Sequence, residues 1–100
     1  MNIKYKAVFC KKGDMVYISH LDLMTVFRRA IRRSDVPFFL TGGFTPRVKI
    51  SMPKALKLGV ESDSEELWIW LTENIPVPRV KELLNLHLPP GIGIESVTYA

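Results

Sequence analysis

Cysteine is nearly missing from this chain: Cys10 is the only one in 100 residues. A single thiol closes no internal disulfide, and one chain with one cysteine holds no all-cysteine metal site. Long apolar runs are missing too, since none approaches the roughly 18 residues of a membrane span. No basic-then-apolar leader opens the sequence, which leads to the expectation of a soluble, cytoplasmic protein. Repeats, linkers and low-complexity tracts are also wanting. What is present has an ordinary globular balance, with 47% hydrophobic and 24% charged residues. One domain over residues 1–100 is expected, able to bury about two thirds of its unfolded surface.

Acids are scarce in one half only. Residues 1–50 carry ten Lys or Arg against Asp14, Asp22 and Asp35, a balance of +7, whereas residues 51–100 balance to −3. Phosphate neutralisation supplies most non-specific nucleic-acid affinity, so a surface of this kind suits a polyanion. A charge run is equally often a solvated helix face.

The hydrophobic periodicity gives an element order. Residues 3–10 alternate Ile3, Tyr5, Ala7 and Phe9 with Lys4 and Lys6, the period of a strand with one buried face. Lys12-Gly13-Asp14 predicts a turn, with residues 15–18 extending the strand or forming a short one. Ser19 opens a helix, its hydroxyl placed to accept from the Asp22 N–H at the positive helix end. At 100° per residue, Leu23, Met24, Val26, Phe27, Ala30 and Ile31 share one arc, opposite Arg28, Arg29, Arg32 and Arg33. Val36-Pro37 ends that helix. Residues 48–52 alternate again up to Pro53, and residues 58–64 predict a polar connection. In residues 66–71, Leu67, Ile69 and Leu71 face one way and Trp68 and Trp70 the other. A second helix is predicted over residues 80–88 and a last strand over residues 92–99, divided by Pro89-Pro90-Gly91. The order β-α-β-β-α-β is the α+β, ferredoxin-like plan, a four-stranded antiparallel sheet with two helices on one face.

Four features could carry chemistry. His20 projects onto the apolar arc, in phase with Met24, Phe27 and Ile31. It is therefore expected to aim at the sheet edge, either as an acid or base or as a packed side chain bonded to a loop carbonyl. The Arg28, Arg29, Arg32 and Arg33 face is an expected anion or RNA surface. So is the loop of Gly42, Gly43, Thr45, Arg47 and Lys49, where glycines can present N–H groups to an anion. The loop matches neither a P-loop nor a dinucleotide fingerprint, and it serves equally as a turn into an edge strand. Trp68 and Trp70 fall on the uncovered sheet face, where a partner, a twin subunit or stacked bases would cover them. His87 has no companion ligand at helical spacing, so no metal site is expected, and Cys10 reads as a small apolar filler.

Three stretches resemble a known family. They are Tyr17-Ile18-Ser19-His20-Leu21-Asp22-Leu23-Met24, Gly43-Phe44-Thr45-Pro46-Arg47-Val48-Lys49-Ile50-Ser51, and Leu58-Gly59-Val60-Glu61-Ser62. In this order, after the Lys12-Gly13-Asp14 turn, they resemble the radical SAM-linked family of uncharacterised bacterial proteins, encoded beside or fused to a radical SAM protein. The resemblance is specific over residues 3–71 and weaker beyond. It departs from the family pattern at Arg47, where histidine is usual, and at Trp68 and Trp70, where acids are common. Family members are about twice as long, so the chain resembles their first half. The resemblance implies a radical SAM partner that carries the iron–sulfur cluster and SAM. This chain lacks the Cys-x3-Cys-x2-Cys set that holds such a cluster, and no cofactor of its own is expected.

The leading expectation is a non-enzymatic module that binds RNA or another anionic substrate and associates with a radical SAM enzyme. One alternative is a ferredoxin-like endoribonuclease, similar to the repeat-processing enzymes of CRISPR systems, with His20 as general acid or base aided by Tyr17 or Lys49. The other is a docking or homodimerisation domain built on Trp68 and Trp70.

Overall fold

The computed structural model describes residues 2–54 and 56–100. The elements run β1 (Ile3–Lys11), a 3-10 turn (Gly13–Tyr17), α1 (His20–Arg33), β2 (Ile50–Ser51), β3 (Ser62–Leu71), α2 (Val77–Asn85) and β4 (Ile92–Tyr99). The strands form one antiparallel sheet in spatial order β2-β3-β1-β4. This is the ferredoxin-like plan that the periodicity predicts.

Alternation decides which face is covered. Tyr5, Ala7 and Phe9 of β1 and Leu67, Ile69 and Leu71 of β3 are fully buried, and they form one cluster with Leu23, Phe27 and Ile31 of α1 and Val80 and Leu84 of α2. Both helices therefore lie on the same side. Each large side chain taken out of water there contributes about 1.5–3 kcal/mol. The Phe9 and Phe27 rings meet edge to face, 4.8 Å between centroids. The Ser19 cap forms as expected, its hydroxyl accepting from the Asp22 N–H at 3.2 Å. α1 stops at Arg33, just ahead of Val36-Pro37, and Asp35 takes a left-handed φ of 61° in the turn that follows.

Five boundaries differ from the sequence expectation, each for a physical reason. Of residues 15–18, those up to Tyr17 coil into the 3-10 turn rather than extending a strand, because Gly13 at φ 60° turns the chain first, and Ile18 caps the turn in an extended conformation. β1 runs one residue further, burying Lys11, whose ammonium donates to the Lys57 carbonyl at 2.9 Å. β3 starts at Ser62, because pairing with β1 satisfies the backbone of its polar residues whatever their side chains. The strand expected over residues 48–52 shrinks to β2. Phe38 and Leu40 form isolated bridges with Leu71 and Val48, so the edge of β3 is shared between two pieces of chain. α2 begins at Val77 and ends at Asn85, since Pro78 fits the first helical turn where its missing N–H has no intrahelical partner. His87 consequently lies beyond the helix.

Two contacts lock β4 and the N-terminal strand in place. The Asn85 amide accepts from the Ile94 N–H at 2.8 Å and donates to its carbonyl at 3.0 Å, joining α2 to β4. Gly91, at φ 94°, approaches so closely that a Cβ there would sit 2.5 Å from the Lys12 carbonyl oxygen and 2.7 Å from Met15 Cγ. The Lys12 N–H donates to Gly91 O at 2.7 Å across the same approach. Gly91→Ala should therefore destabilise the fold by about 2 kcal/mol, through both crowding and a left-handed backbone; urea unfolding measures this.

Tyr5 is buried with its hydroxyl donating to the Ile75 carbonyl at 2.8 Å and accepting from the Ile75 N–H at 2.9 Å. Burial pushes its phenol above the ordinary value, with the Ile75 N–H, which donates to the phenol oxygen, pulling the other way. An acid whose pKa is raised by folding keeps its stabilising effect below the unfolded value, about 10, and loses it as pH rises through the folded value. Alkaline unfolding should therefore steepen above about pH 10, and this component should vanish in Tyr5→Phe, which costs about 1–3 kcal/mol at neutral pH.

Candidate functional site

The sheet face opposite the helices gathers aromatic and cationic side chains. Trp68 and Trp70 point there and are half-buried, as the alternation of β3 requires. Antiparallel register sets Lys6 across from Trp68 and Lys4 across from Trp70. On the other flank Ser51 stands beside Trp68, while the Phe39 N–H donates to the Trp70 carbonyl at 3.0 Å. The Lys4 ammonium lies 3.3 Å from the Trp68 ring centroid and 5.4 Å from that of Trp70. Lys49 lies 4.8 Å from Trp70 and 5.6 Å from Phe39. Cations over aromatic faces gain about 0.5–1 kcal/mol at exposed sites, so these lysines are held, but weakly.

The indole N–H of Trp68 is shielded from solvent and has no hydrogen-bond partner. An unmet donor of this kind costs about 1–3 kcal/mol. A recess of about 150 Å³ adjoins Trp68 and is walled by Pro53, Lys54, Ser64, Glu65 and Glu66. Further along the sheet, Val8 stands across from Glu66 and Ser96. Lys4, Lys6 and Lys49 thus stand at the end of the sheet that carries the tryptophans. Cys10 is half-buried, and its thiol is pushed above the ordinary value by burial first and by Glu95 second, which disfavours the reactive thiolate.

The four arginines expected as one patch separate into two pairs, because residues four apart stack while neighbours diverge around the helix. Arg28 turns toward the edge strand, where its Nε donates to the Val48 carbonyl at 3.2 Å. Burial holds its guanidinium below the ordinary value, and nearby Arg47 adds to this. Arg32 lies 5.4 Å from the Phe38 ring on the same flank. Arg29 and Arg33 occupy the other flank, in a cleft shared with His87.

The glycine loop forms an exposed hairpin tip. Arg47 N–H donates to Thr41 Oγ1 at 3.1 Å and Thr41 N–H to the Arg47 carbonyl at 2.8 Å, closing the hairpin over Gly42, Gly43 and Thr45. Gly43 takes φ 106°, and Phe44 at the tip is fully exposed. Lys49 is parted from this loop and belongs with the tryptophans. His20 is the first residue of α1 and is exposed, where its projection predicted an approach to the sheet edge. A first-turn residue is covered only if another element overhangs the helix end, and none of the described residues does so. Lys49 lies on the face away from α1, so the suggested pairing of His20 with Lys49 does not form. Among the described residues no three His, Cys, Asp or Glu side chains gather as a metal requires.

Lys4, Lys6 and Phe39 escaped the sequence reading as site residues. The alternation of β1 already set the two lysines opposite Tyr5 and Ala7. Only the register with β3 reveals that they meet the tryptophans.

Fold and face together define an α+β protein whose ferredoxin-like sheet exposes a mixed basic and aromatic surface. Residues 4–100 match a family described as an uncharacterized protein conserved in bacteria (DUF2344), and the chain belongs to that family. Neither the curated proteins nor the solved structures contain a match. Among the described residues no helix is long and apolar enough to cross a membrane.

The split of the arginines is directly measurable. Arg28→Ala should cost about 1 kcal/mol through its lost bond to Val48, whereas Arg29→Ala should change stability by less than about 0.5 kcal/mol. Chemical denaturation of the two variants checks the difference.

Proposed function

We propose that this chain is a non-enzymatic module that binds single-stranded RNA on its open sheet face and presents it to a radical SAM enzyme. The observation that carries the RNA reading is the placement of Lys4 and Lys49 against Trp68 and Trp70. Ferredoxin-like RNA-binding sheets use this combination, stacking bases on aromatics while cations meet the backbone. A base arriving at Trp68 must displace Lys4. Stacking is worth about 1–3 kcal/mol per base, against about 0.5–1 kcal/mol for an exposed cation over a ring. The exchange is favourable, and the released ammonium is then free to meet a phosphate. The radical SAM partner rests on the three sequence stretches around Ser19, Pro46 and Gly59, and it would supply SAM and the iron–sulfur cluster, whose thiolate ligands a chain with one cysteine lacks.

Titration with oligouridylate should quench tryptophan fluorescence. Trp70→Ala should weaken binding about 5- to 150-fold. With Lys4, Lys6 and Lys49 engaged, log K should fall against log salt with a slope of about −2, made shallower by about 0.7 in Lys4→Gln. Binding indifferent to Trp70 and Lys4 sinks the proposal. A concentration-dependent dimer that buries the tryptophans, without oligonucleotide binding, would show that the face is a docking surface instead.

A further inference from the structure

A cavity lies on the helical side, away from the tryptophan face, and the RNA reading makes no use of it. It is a cleft of about 500 Å³ between the second half of α1 and the chain that leaves α2. This volume falls within the usual range for small-molecule sites, about 300–1,000 Å³. Arg29, Arg33 and His87 supply its polar groups, while Met15, Val26 and Leu88 are among its apolar walls.

The charge in this cleft is unbalanced. No acid lines it, and the ion pairs among the described residues, Lys12 with Asp63 and Arg79 with Glu82, involve neither arginine. Arg29 and Arg33 are four residues apart on one helical row, so the two like charges repel each other. An anion placed between them removes that repulsion and accepts from both planar guanidinium forks. His87 adds a third donor from the opposite wall. Three donors from two walls match a phosphate, whose oxygens radiate in three dimensions, better than a flat carboxylate. The half-buried apolar walls require a ligand that is more than a bare ion, because a free anion leaves them wet.

We infer that this cleft binds a small organic phosphate, its phosphate group held by Arg29, Arg33 and His87 and its apolar body seated against Met15, Val26 and Leu88. The inference stands independently of RNA binding on the sheet face.

Two-dimensional amide NMR of the full chain, titrated with phenyl phosphate, inorganic phosphate and phenylacetate, tests it. Phenyl phosphate should shift the resonances of Val26, Arg29, Arg33 and His87, and should bind at least about tenfold more tightly than either other probe. Arg29→Gln and Arg33→Gln are surface changes that leave the core intact, and each should weaken phenyl phosphate about tenfold or more. Leu86→Ser trims an exposed residue of the apolar wall, so it should weaken phenyl phosphate while leaving inorganic phosphate unchanged. Trp70→Ala should leave all of these shifts in place, which separates this site from the RNA face. Absence of shifts at these residues, equal binding of phenylacetate, or binding unaffected by the arginine changes would each overturn the assignment.

Discussion

The register between β1 and β3 is the constraint on which the rest of this structure hangs. It places Tyr5 beside Ile69 and Ala7 beside Leu67 on one face, and Lys4 beside Trp70 and Lys6 beside Trp68 on the other. Side chains alternate along a strand, so a slip of one residue would drive lysines under the helices and phenylalanine into water. The penalty for that slip is the whole hydrophobic core, and the core therefore specifies the chemistry of the open face as firmly as it specifies the fold. Lys4 meets Trp68 because Tyr5 must be buried.

That coupling gives the molecule two unlike sides. The covered side is sealed by α1 and α2, and its surface beyond the core carries the arginines in two pairs. One pair is spent on structure, since Arg28 holds the Val48 carbonyl and Arg32 rests on Phe38. The other pair, Arg29 and Arg33, is left with His87 in a cleft without acids. The open side carries half-buried tryptophans with the Lys4 and Lys49 ammoniums set against their rings. Charge counts alone treat these surfaces as one basic half, yet one is an open aromatic sheet face and the other a cleft beside α1.

Much of the architecture is legible in the sequence. The period-2 runs at Ile3 and Leu67 and the 3.6-residue arc from Leu23 to Ile31 identify the principal elements, because each has one face that must leave water. The Ser19 cap and the stop at Val36-Pro37 are local chemistry, and both appear where they were expected. Elements whose bounds depend on distant partners are less legible there. Ser62 to Glu65 is strand only because β1 pairs with it, and residues 48–52 are mostly not strand because Phe38 competes for the same edge. His20 is exposed although it projects onto the apolar arc, because a projection angle gives the direction of a side chain and not whether anything stands there to cover it.

The amino-acid sequence by itself determined the element order, the buried face of each element and the sign of the charge in each half. These follow from periodicity, capping and composition, which act over a few neighbouring residues. Only the tertiary structure decided which charged residues meet which aromatics, that the arginines serve two surfaces, and that Gly91 passes too close to Lys12 to bear a side chain. Those outcomes depend on register and on contacts between residues far apart in the chain, and no local pattern encodes the distance between them.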